Sequence, residues 1–153
     1  MTVSSEAVDE STDDIPSVTK APNVDVDEKE LFANEAVLFI FNREKNEWNS
    51  RGSGELKILQ NNDGYCRILM RQDRTFVVRV NHQIPYLGTL HTIKGSDKEF
   101  TWTAFDFADT KEPDNRQLFA VHFANADIAT SFKTAFETGQ SANKKLMEPQ
   151  DAI

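Results

Sequence analysis

Acidic and imidazole side chains are the first candidates for chemistry in this sequence. Asp106 and Asp109 stand close together in the segment FDFAD and could act as an acid–base pair or as metal ligands. Aspartate more often bonds the backbone where a strand enters a loop, and we favour that interpretation. The three histidines, His82, His91 and His122, fall on separate predicted strands, so a shared metal site is not expected. An enzyme is the least favoured function class, with no catalytic residue and no cofactor predicted.

Cys66 is the only cysteine, which excludes an internal disulfide and indicates a reducing compartment. Its place in a strand pattern favours a buried side chain over a nucleophile. The sequence contains no nucleophile elbow, phosphate-binding loop or zinc-protease motif. It begins without a basic and apolar leader, and its longest unbroken apolar run covers only residues 36 to 41. These features predict a soluble protein without a secretory signal or a membrane span.

Arginines form the more informative pattern. The stretch YCRILMRQDRTFVVRV, residues 65 to 80, places four of them in two apolar runs of a chain with formal net charge −8. Successive strand residues point to opposite faces. The alternation turns Cys66, Ile68, Met70, Leu56, Ile58, Phe76, Val78 and Val80 inward, and leaves Tyr65 and Leu69 with the charged residues. The predicted outward basic residues are Lys57, Arg67, Arg71 and Arg79, with Arg74 at the connecting turn.

Such a surface suits an acidic peptide, a phosphorylated ligand or nucleic acid. Nucleic acid is the least favoured of the three, because the chain has an acidic N-terminal segment and this stretch offers few exposed aromatic side chains for base stacking. Ordinary outward-facing strand charge, with arginine stems covering apolar sheet surface, explains the spacing equally well.

The acidity of the chain belongs to its N-terminal segment. Residues 1 to 35 contain ten acidic and two basic side chains, whereas residues 36 to 153 contain fifteen of each. Residues 1 to 30 include no aromatic residue and are rich in serine, threonine and acidic residues. They cannot bury enough apolar surface to offset the entropy cost of ordering. Residues 1 to 27 are therefore predicted to form a flexible acidic arm, for which a solubilising tail is the simplest role.

The spacing of apolar residues predicts the elements that position these side chains. Alternation with a period of two runs from about residue 30 to 123 and indicates seven strands. They cover residues 31–42, 55–60, 65–71, 75–81, 85–93, 98–107 and 116–123. Residues 47 to 54, EWNSRGSG, read as a turn-rich connection, and NNDG at 61 to 64 reads as a tight hairpin turn.

The period then changes to that of a helix within residues 125 to 139. Asn125 is placed to cap the N-terminus of this helix and Gly139 to end it. Two phenylalanines, Phe132 and Phe136, share its apolar face. The predicted fold is mainly β: a pleckstrin-homology-like, seven-stranded bent antiparallel sheet or barrel, capped by a C-terminal α-helix.

Six separated segments, in this order, resemble the Ran-binding domain of the small Ran-binding proteins and of the large cytoplasmic-face nucleoporin. They are ELFANEAVLFIFN, EWNSRGSGELKIL, CRILMRQDRTFVVRVNH, GSDKEFTW, FDFAD and FANADIATSFKTAFE. The resemblance covers about residues 28 to 140, which leaves residues 1 to 27 as the acidic arm and residues 141 to 153 as a polar tail or linker. It does not distinguish a free small protein from one repeat of a nucleoporin.

Three family motifs can be located in this chain. The Trp-x-x-Arg-Gly-x-Gly motif falls on Trp48, Arg51, Gly52 and Gly54; the Met-Arg-x-Asp turn falls on Met70, Arg71 and Asp73; and the Asn-His pair falls on Asn81 and His82. The chain departs from the family pattern at Asn49 and Ser50, where many members have Lys-Glu, and at Gln72, where a second basic residue is usual.

The resemblance implies a non-enzymatic module that binds the GTP-bound form of the small GTPase Ran. The acidic C-terminal arm of Ran would lie on the basic face, while the acidic arm of the domain would reach back toward Ran. Ran GTPase-activating protein and importin-β-type receptors would be partners through Ran, with no nucleic acid or membrane partner. A monomer in the cytoplasm, or at the cytoplasmic face of the nuclear pore, is expected. The candidate contact residues are Trp48, Arg51, Lys57, Arg67, Arg71, Arg74, Arg79, Asp25, Asp27 and Glu28.

An adaptor of the pleckstrin-homology type, binding phosphoinositide or peptide ligands, is the alternative. Headgroup binding requires basic side chains at the first hairpin, where Arg43, Lys45 and Arg51 alternate with Glu44 and Glu47. This mixed charge makes the alternative less favoured.

Overall fold

The computed structural model describes residues 27 to 105 and 116 to 147, which form seven strands and one helix. The strands make one antiparallel sheet in the order β4-β3-β2-β1-β7-β6-β5. The elements are β1 (Lys29–Asn42), β2 (Glu47–Gln60), β3 (Cys66–Gln72), β4 (Val78–Gln83), β5 (His91–Thr92), β6 (Glu99–Phe105), β7 (Arg116–His122) and α1 (Ala126–Met147). The predicted strand count, the antiparallel sheet and the C-terminal helix are confirmed.

The first hairpin differs from its prediction. Residues 47 to 54 are not a connection but the first half of β2, paired with β1 along its length. The turn lies instead at residues 43 to 46, where Asn46 has a φ of 55°. Glycine-rich sequence is typical of loops, but glycine also serves bulges and close strand contacts. A side chain at Gly54 would overlap the Arg71 carbonyl oxygen, so this glycine allows β3 to approach β2.

The NNDG turn between β2 and β3 is confirmed. Asn61 organises it, since its carbonyl oxygen accepts a hydrogen bond from the Gly64 N–H at 3.0 Å. Its side-chain Oδ1 accepts hydrogen bonds from the N–H groups of Asp63 at 2.9 Å and Tyr65 at 3.1 Å. Gly64 has a φ of 98°, which an L residue adopts only with strain.

Two other strand predictions are wrong in part. The strand predicted at 75 to 81 begins only at Val78, and Phe76 is an exposed turn residue with a φ of 60° instead of an inward-facing strand residue. The inward position of Val80 is confirmed. The strand predicted at 85 to 93 shrinks to two residues, because Pro85 has no N–H for a strand ladder and Gly88, with a φ of 94°, interrupts the extended backbone.

The inner face of the sheet and the helix enclose an aromatic core. Trp102 stacks on Phe119 with ring centroids 5.6 Å apart, and Phe132 and Phe136 of the helix pack against the same indole. Cys66 is also buried here with a free thiol, whose pKa burial raises. A raised pKa keeps the thiol protonated and unreactive, which agrees with its predicted role as core filler.

The helix begins where predicted and ends later. Asn125 caps it, since its Oδ1 accepts a hydrogen bond from the Ile128 N–H at 2.9 Å. Gly139 does not end it, and α1 continues to Met147, so that residues 141 to 147 of the predicted tail are helical. A Cβ at Gly139 would lie 3.1 Å from the Cβ of Cys66 and closer still to Ile84. This glycine therefore serves close packing of the helix on the sheet.

Asn143 lies in the part of the helix that the sequence did not predict. Its side chain is buried and bonds three backbone groups, two in β3 and one directly after β4. Oδ1 accepts from the Cys66 N–H at 2.7 Å, while Nδ2 donates to the carbonyl oxygens of Cys66 at 2.8 Å and Ile84 at 2.9 Å. The sequence signal for this role is its position on the helical stripe of Phe132, Phe136 and Gly139, at intervals of three and four residues.

Across the described residues, no helix is long and apolar enough to span a bilayer.

His82 joins β4 to β6 inside the core. Its Nε2 accepts a hydrogen bond from the indole N–H of Trp102 at 3.1 Å, and its Nδ1 lies 2.8 Å from the Gln83 carbonyl oxygen. These contacts require the neutral tautomer with the proton on Nδ1. Burial lowers the pKa of His82 to about 4, against a smaller upward effect of the Gln83 hydrogen bond.

We expect this histidine to make the domain acid-sensitive. Between pH 6.5 and 4 the unfolded chain binds a proton at His82 that the folded chain excludes, so stability falls as the pH falls. The loss approaches about 3 kcal/mol at pH 4. Urea unfolding at pH 7, 6 and 5 measures the free energy of unfolding of the parent chain and of a His82→Gln variant. The difference between the two proteins cancels the pH dependence of all other groups. Equal pH slopes for the two proteins would contradict the assignment, and exposed His91→Gln serves as the control.

Candidate functional site

The outer face of the sheet, turned away from α1, carries the predicted basic residues, and some of them pair with carboxylates of the same chain. Arg67 forms a bidentate ion pair with Glu28: Nη2 lies 2.8 Å from Oε1, and Nε lies 3.1 Å from Oε2. Its Nη1 donates to Asn81 Oδ1 at 2.8 Å. Only 18% of the Arg67 side chain and 7% of the Glu28 side chain are exposed. The expected exposure of Arg67 is therefore wrong, because Glu28 at the start of the described chain folds over it.

Lys57 is also engaged on this face. Its Nζ lies 3.5 Å from Glu30 and 3.9 Å from Glu55. Leu69, expected to be outward-facing, shares the face but is buried, as is Leu59. Their register partners are Lys57 and Arg67, respectively, whose aliphatic stems lie beside them on the same face. On this part of the surface, the basic side chains therefore also cover buried apolar residues of the sheet.

Three other arginines converge on a groove at the end of the sheet where β2 meets the β3–β4 turn. The groove has a volume of about 560 Å³, and its lining includes Arg51, Arg74 and Arg79 together with Gln72 and Asp73. Arg51 Nε donates to the Arg79 carbonyl oxygen at 2.9 Å, which ties two strands together. We call these five residues the basic groove. The predicted position of Arg74 at the connecting turn is confirmed.

Gln72 and Gly52 shape the basic groove. Gln72 Oε1 accepts from Arg79 Nε and from the Ser53 N–H, both at 3.3 Å. A side chain at Gly52, where φ is 152°, would overlap Gln72 Oε1 and press on Arg79. The glycine therefore leaves room for both side chains. At Gln72, where the family usually has a basic residue, this chain uses an amide that orients Arg79.

Carboxylates border the basic groove and temper its charge. Glu35 lies directly opposite Glu55 in the β1–β2 register, close to Asp73 of the groove. A hydrogen bond to Asp73 raises the pKa of Glu35 to about 7, with further upward effects from burial and from the charges of Asp73 and Glu55. The raised pKa favours the protonated form of Glu35, which reduces the negative charge beside the groove.

Trp48 stands on β2 instead of in a loop. It is 43% exposed and packs edge-to-face on its register partner Phe41, with ring centroids 5.2 Å apart. An aromatic side chain held in this way by one neighbour leaves its remaining surface exposed to solvent.

The remaining predicted residues are less closely grouped. Arg71 lies opposite Glu55 in the β2–β3 register, between the basic groove and the Arg67–Glu28 pair. Asp27 is exposed, and Asp25 falls outside the described residues, as do Asp106 and Asp109. His91 is exposed, whereas His122 Nδ1 lies 3.0 Å from Glu99. Within residues 27–105 and 116–147, no three His, Cys, Asp or Glu side chains are placed to hold a metal ion.

Residues 21 to 142 match the family model described as the RanBP1 domain. The chain belongs to the RanBP1 domain family. It is 34% identical over 132 residues to the E3 SUMO-protein ligase RanBP2 of Homo sapiens and of Pan troglodytes. These matches cover 86% of this chain but only 4% of each relative. The chain is also 33% identical over 132 residues to RanBP2-like and GRIP domain-containing protein 3 of Homo sapiens, covering 7% of that protein.

Solved structures confirm the fold of this RanBP1 domain. The Ran-binding domain of Nup2 from Ashbya gossypii aligns with a TM-score of 0.65 and 24% identity, covering 76% of this chain and 97% of that one. The Dm DCP1 EVH1 domain, solved in complex with an XRN1 DBM peptide, aligns with a TM-score of 0.59 at 12% identity and covers 80% of this chain and 84% of that one. Both are pleckstrin-homology-like folds, as predicted.

Proposed function

We propose that this RanBP1 domain is a non-catalytic binding module for the small GTPase Ran in nuclear transport. Its membership of the family carries the proposal. The grouping of Arg51, Arg74 and Arg79 around one groove supports it, because three guanidinium groups can pair with carboxylates of an acidic segment. By family analogy, that segment is the acidic C-terminal arm of Ran.

Selectivity for GTP-bound Ran follows from the availability of this arm. A ligand that binds only the conformation with a released arm shifts Ran toward it without touching the nucleotide. The acidic N-terminal arm of the domain, with Asp25 and Asp27, would reach toward Ran in exchange, and Glu28 directly after it is a further candidate contact. Since Glu28 bonds Arg67, the chain that follows the arm enters the domain on the face that carries Arg67.

The domain would thereby help to release Ran-GTP from importin-β-type receptors and would assist hydrolysis stimulated by Ran GTPase-activating protein. It would act in the cytoplasm or at the cytoplasmic face of the nuclear pore. Trp48, Lys57 and Arg71 would contribute further contacts on the outer face, with Trp48 as an aromatic anchor.

Capture of Ran loaded with GTP or with GDP tests the proposal. We expect the immobilised chain to retain Ran-GTP and to retain at least tenfold less Ran-GDP, since the bound conformation is depleted in the GDP state. Vesicles with and without phosphoinositide, assayed in parallel, measure the adaptor alternative. Equal capture of the two nucleotide states, or capture of neither, would rule out the proposed function.

A further inference from the structure

The turn between β3 and β4 presents an aromatic side chain in an unfavourable backbone conformation. Phe76 has a φ of 60° and Arg74 a φ of 73°, in the left-handed region that residues with a bulky side chain rarely adopt. The Phe76 side chain nevertheless does not enter the core: the residue is 70% exposed, and its neighbour Val77 is 48% exposed. The strained backbone at Phe76 therefore leaves two apolar side chains, those of Phe76 and Val77, exposed to solvent.

Backbone hydrogen bonds hold this turn in place. The Gln72 N–H donates to the Val77 carbonyl oxygen at 2.7 Å, and the Phe76 N–H donates back to the Gln72 carbonyl oxygen at 2.8 Å. The Asp73 N–H donates to the Ser53 carbonyl oxygen at 3.0 Å, which anchors the turn to β2. Strained residues persist where their surroundings over-determine them, and they concentrate at ligand-contact sites. A fixed turn also presents Phe76 without a large ordering cost upon binding.

The same turn lines the basic groove. Asp73, Arg74 and Thr75 contribute to the lining and lead directly to Phe76 and Val77. The lining carries three arginines, from Arg51, Arg74 and Arg79, against the single carboxylate of Asp73, so it attracts a ligand with several negative charges. Exposed charge pairs mainly steer association and contribute little affinity. An adjoining apolar contact can supply the affinity that exposed ion pairs lack.

We propose that Phe76 and Val77 form, with the basic groove, a two-part docking surface for an acidic peptide segment that carries an apolar side chain beside its carboxylates. The arginines bind the carboxylates, and the exposed pair covers the apolar side chain. This inference rests on the proposed function for the assignment of the groove to an acidic partner segment, and it adds the apolar requirement and the residues that meet it.

Two fluorescein-labelled synthetic peptides test the requirement directly. One has five aspartates and a leucine, and the other has serine in place of the leucine. Fluorescence anisotropy at low salt is expected to show about tenfold tighter binding of the leucine peptide by the parent chain, as burial of one leucine side chain predicts. Phe76→Gly should remove this preference and leave the affinity for the serine peptide unchanged. Arg74→Glu should weaken binding of both peptides.

Thermal unfolding separates this role from a structural one. Phe76→Gly removes both the ring and the backbone strain, whereas Phe76→Ala removes the ring and keeps the strain. We expect both variants to lose the leucine preference, with Phe76→Gly melting at a temperature no lower than the parent and higher than Phe76→Ala. A fall of more than about 5 °C in Phe76→Gly would assign the ring to the stability of the fold and overturn the inference.

The peptide experiment and the capture of Ran test separate claims. Equal affinities of the parent chain for the two peptides, or no binding of either, would overturn the two-part surface even if Ran-GTP is captured. A leucine preference lost in Phe76→Gly would uphold the surface even if Ran-GTP is not captured, and the proposed function alone would then fail.

Discussion

Replacing Asn143 with alanine is expected to lower the free energy of unfolding by about 3 to 5 kcal/mol. The substitution leaves the Cys66 N–H and the carbonyl oxygens of Cys66 and Ile84 without their buried side-chain partner. Each unpaired buried polar group costs the free energy of its desolvation, and an alanine methyl group can neither donate nor accept a hydrogen bond. Urea unfolding followed by tryptophan fluorescence measures the loss.

Gln140 provides a matched control one turn earlier on the same helix. Its Nε2 also donates to two carbonyl oxygens, those of Pro85 at 3.0 Å and Gly88 at 3.2 Å, but the side chain is only partly buried. Gln140→Ala should therefore cost about 1 kcal/mol or less, because water can replace the lost donor. Similar losses for the two variants would show that Asn143 has no special role in attaching the helix to the sheet.

Replacing Arg67 with glutamate is expected to destabilise the domain by about 2 to 4 kcal/mol, in addition to any effect on binding. The new carboxylate would face Glu28, whose side chain is only 7% exposed, and the ion pair and the Asn81 hydrogen bond would be lost. The combination Glu28→Arg with Arg67→Glu restores opposite charges and should recover about half of the stability. Chemical denaturation of the single and double variants gives the coupling free energy.

Lys133→Glu on the helix is the control for charge reversal itself. Lys133 pairs with Glu137 at 3.7 Å, and both side chains are about half exposed. Reversal there should cost only about 0.5 kcal/mol because solvent screens the repulsion. If Arg67→Glu costs no more than this control, the Arg67–Glu28 pair is ordinary surface charge, and any loss of Ran capture in that variant then reports on binding alone.

Most of the fold could be predicted because its signals are local. Alternation identified the seven strands, and the change to a helical period identified α1 with its cap at Asn125. The errors arose where one residue type serves two purposes. Glycine marks loops, but Gly54 serves close strand pairing and Gly139 serves close helix packing. The prediction that Phe76 faces inward is wrong because strand alternation does not continue into this turn. No local sequence pattern indicates the left-handed backbone of the turn.

The candidate site was predicted only in part, for a similar reason. Parity placed Arg67, Arg71 and Lys57 on one face, which follows from the pleat of a strand. It could not show which of them already have partners within the chain, since the contact between Arg67 and Glu28 spans 39 residues of sequence. Nor could it show that bulges in β2 and β4 bring Arg51 and Arg79 together at the basic groove.

The amino-acid sequence by itself determined the class of fold, the family and the separation of an acidic segment from a neutral body, because period, motif order and charge are properties of neighbouring residues. Only the tertiary structure decided which of the charged residues lie together. Pairing of distant side chains withdraws Arg67 into a contact with Glu28, while strand register assembles Arg51, Arg74 and Arg79 beside the exposed Phe76. These contacts depend on distances across the fold, and packing sets those distances.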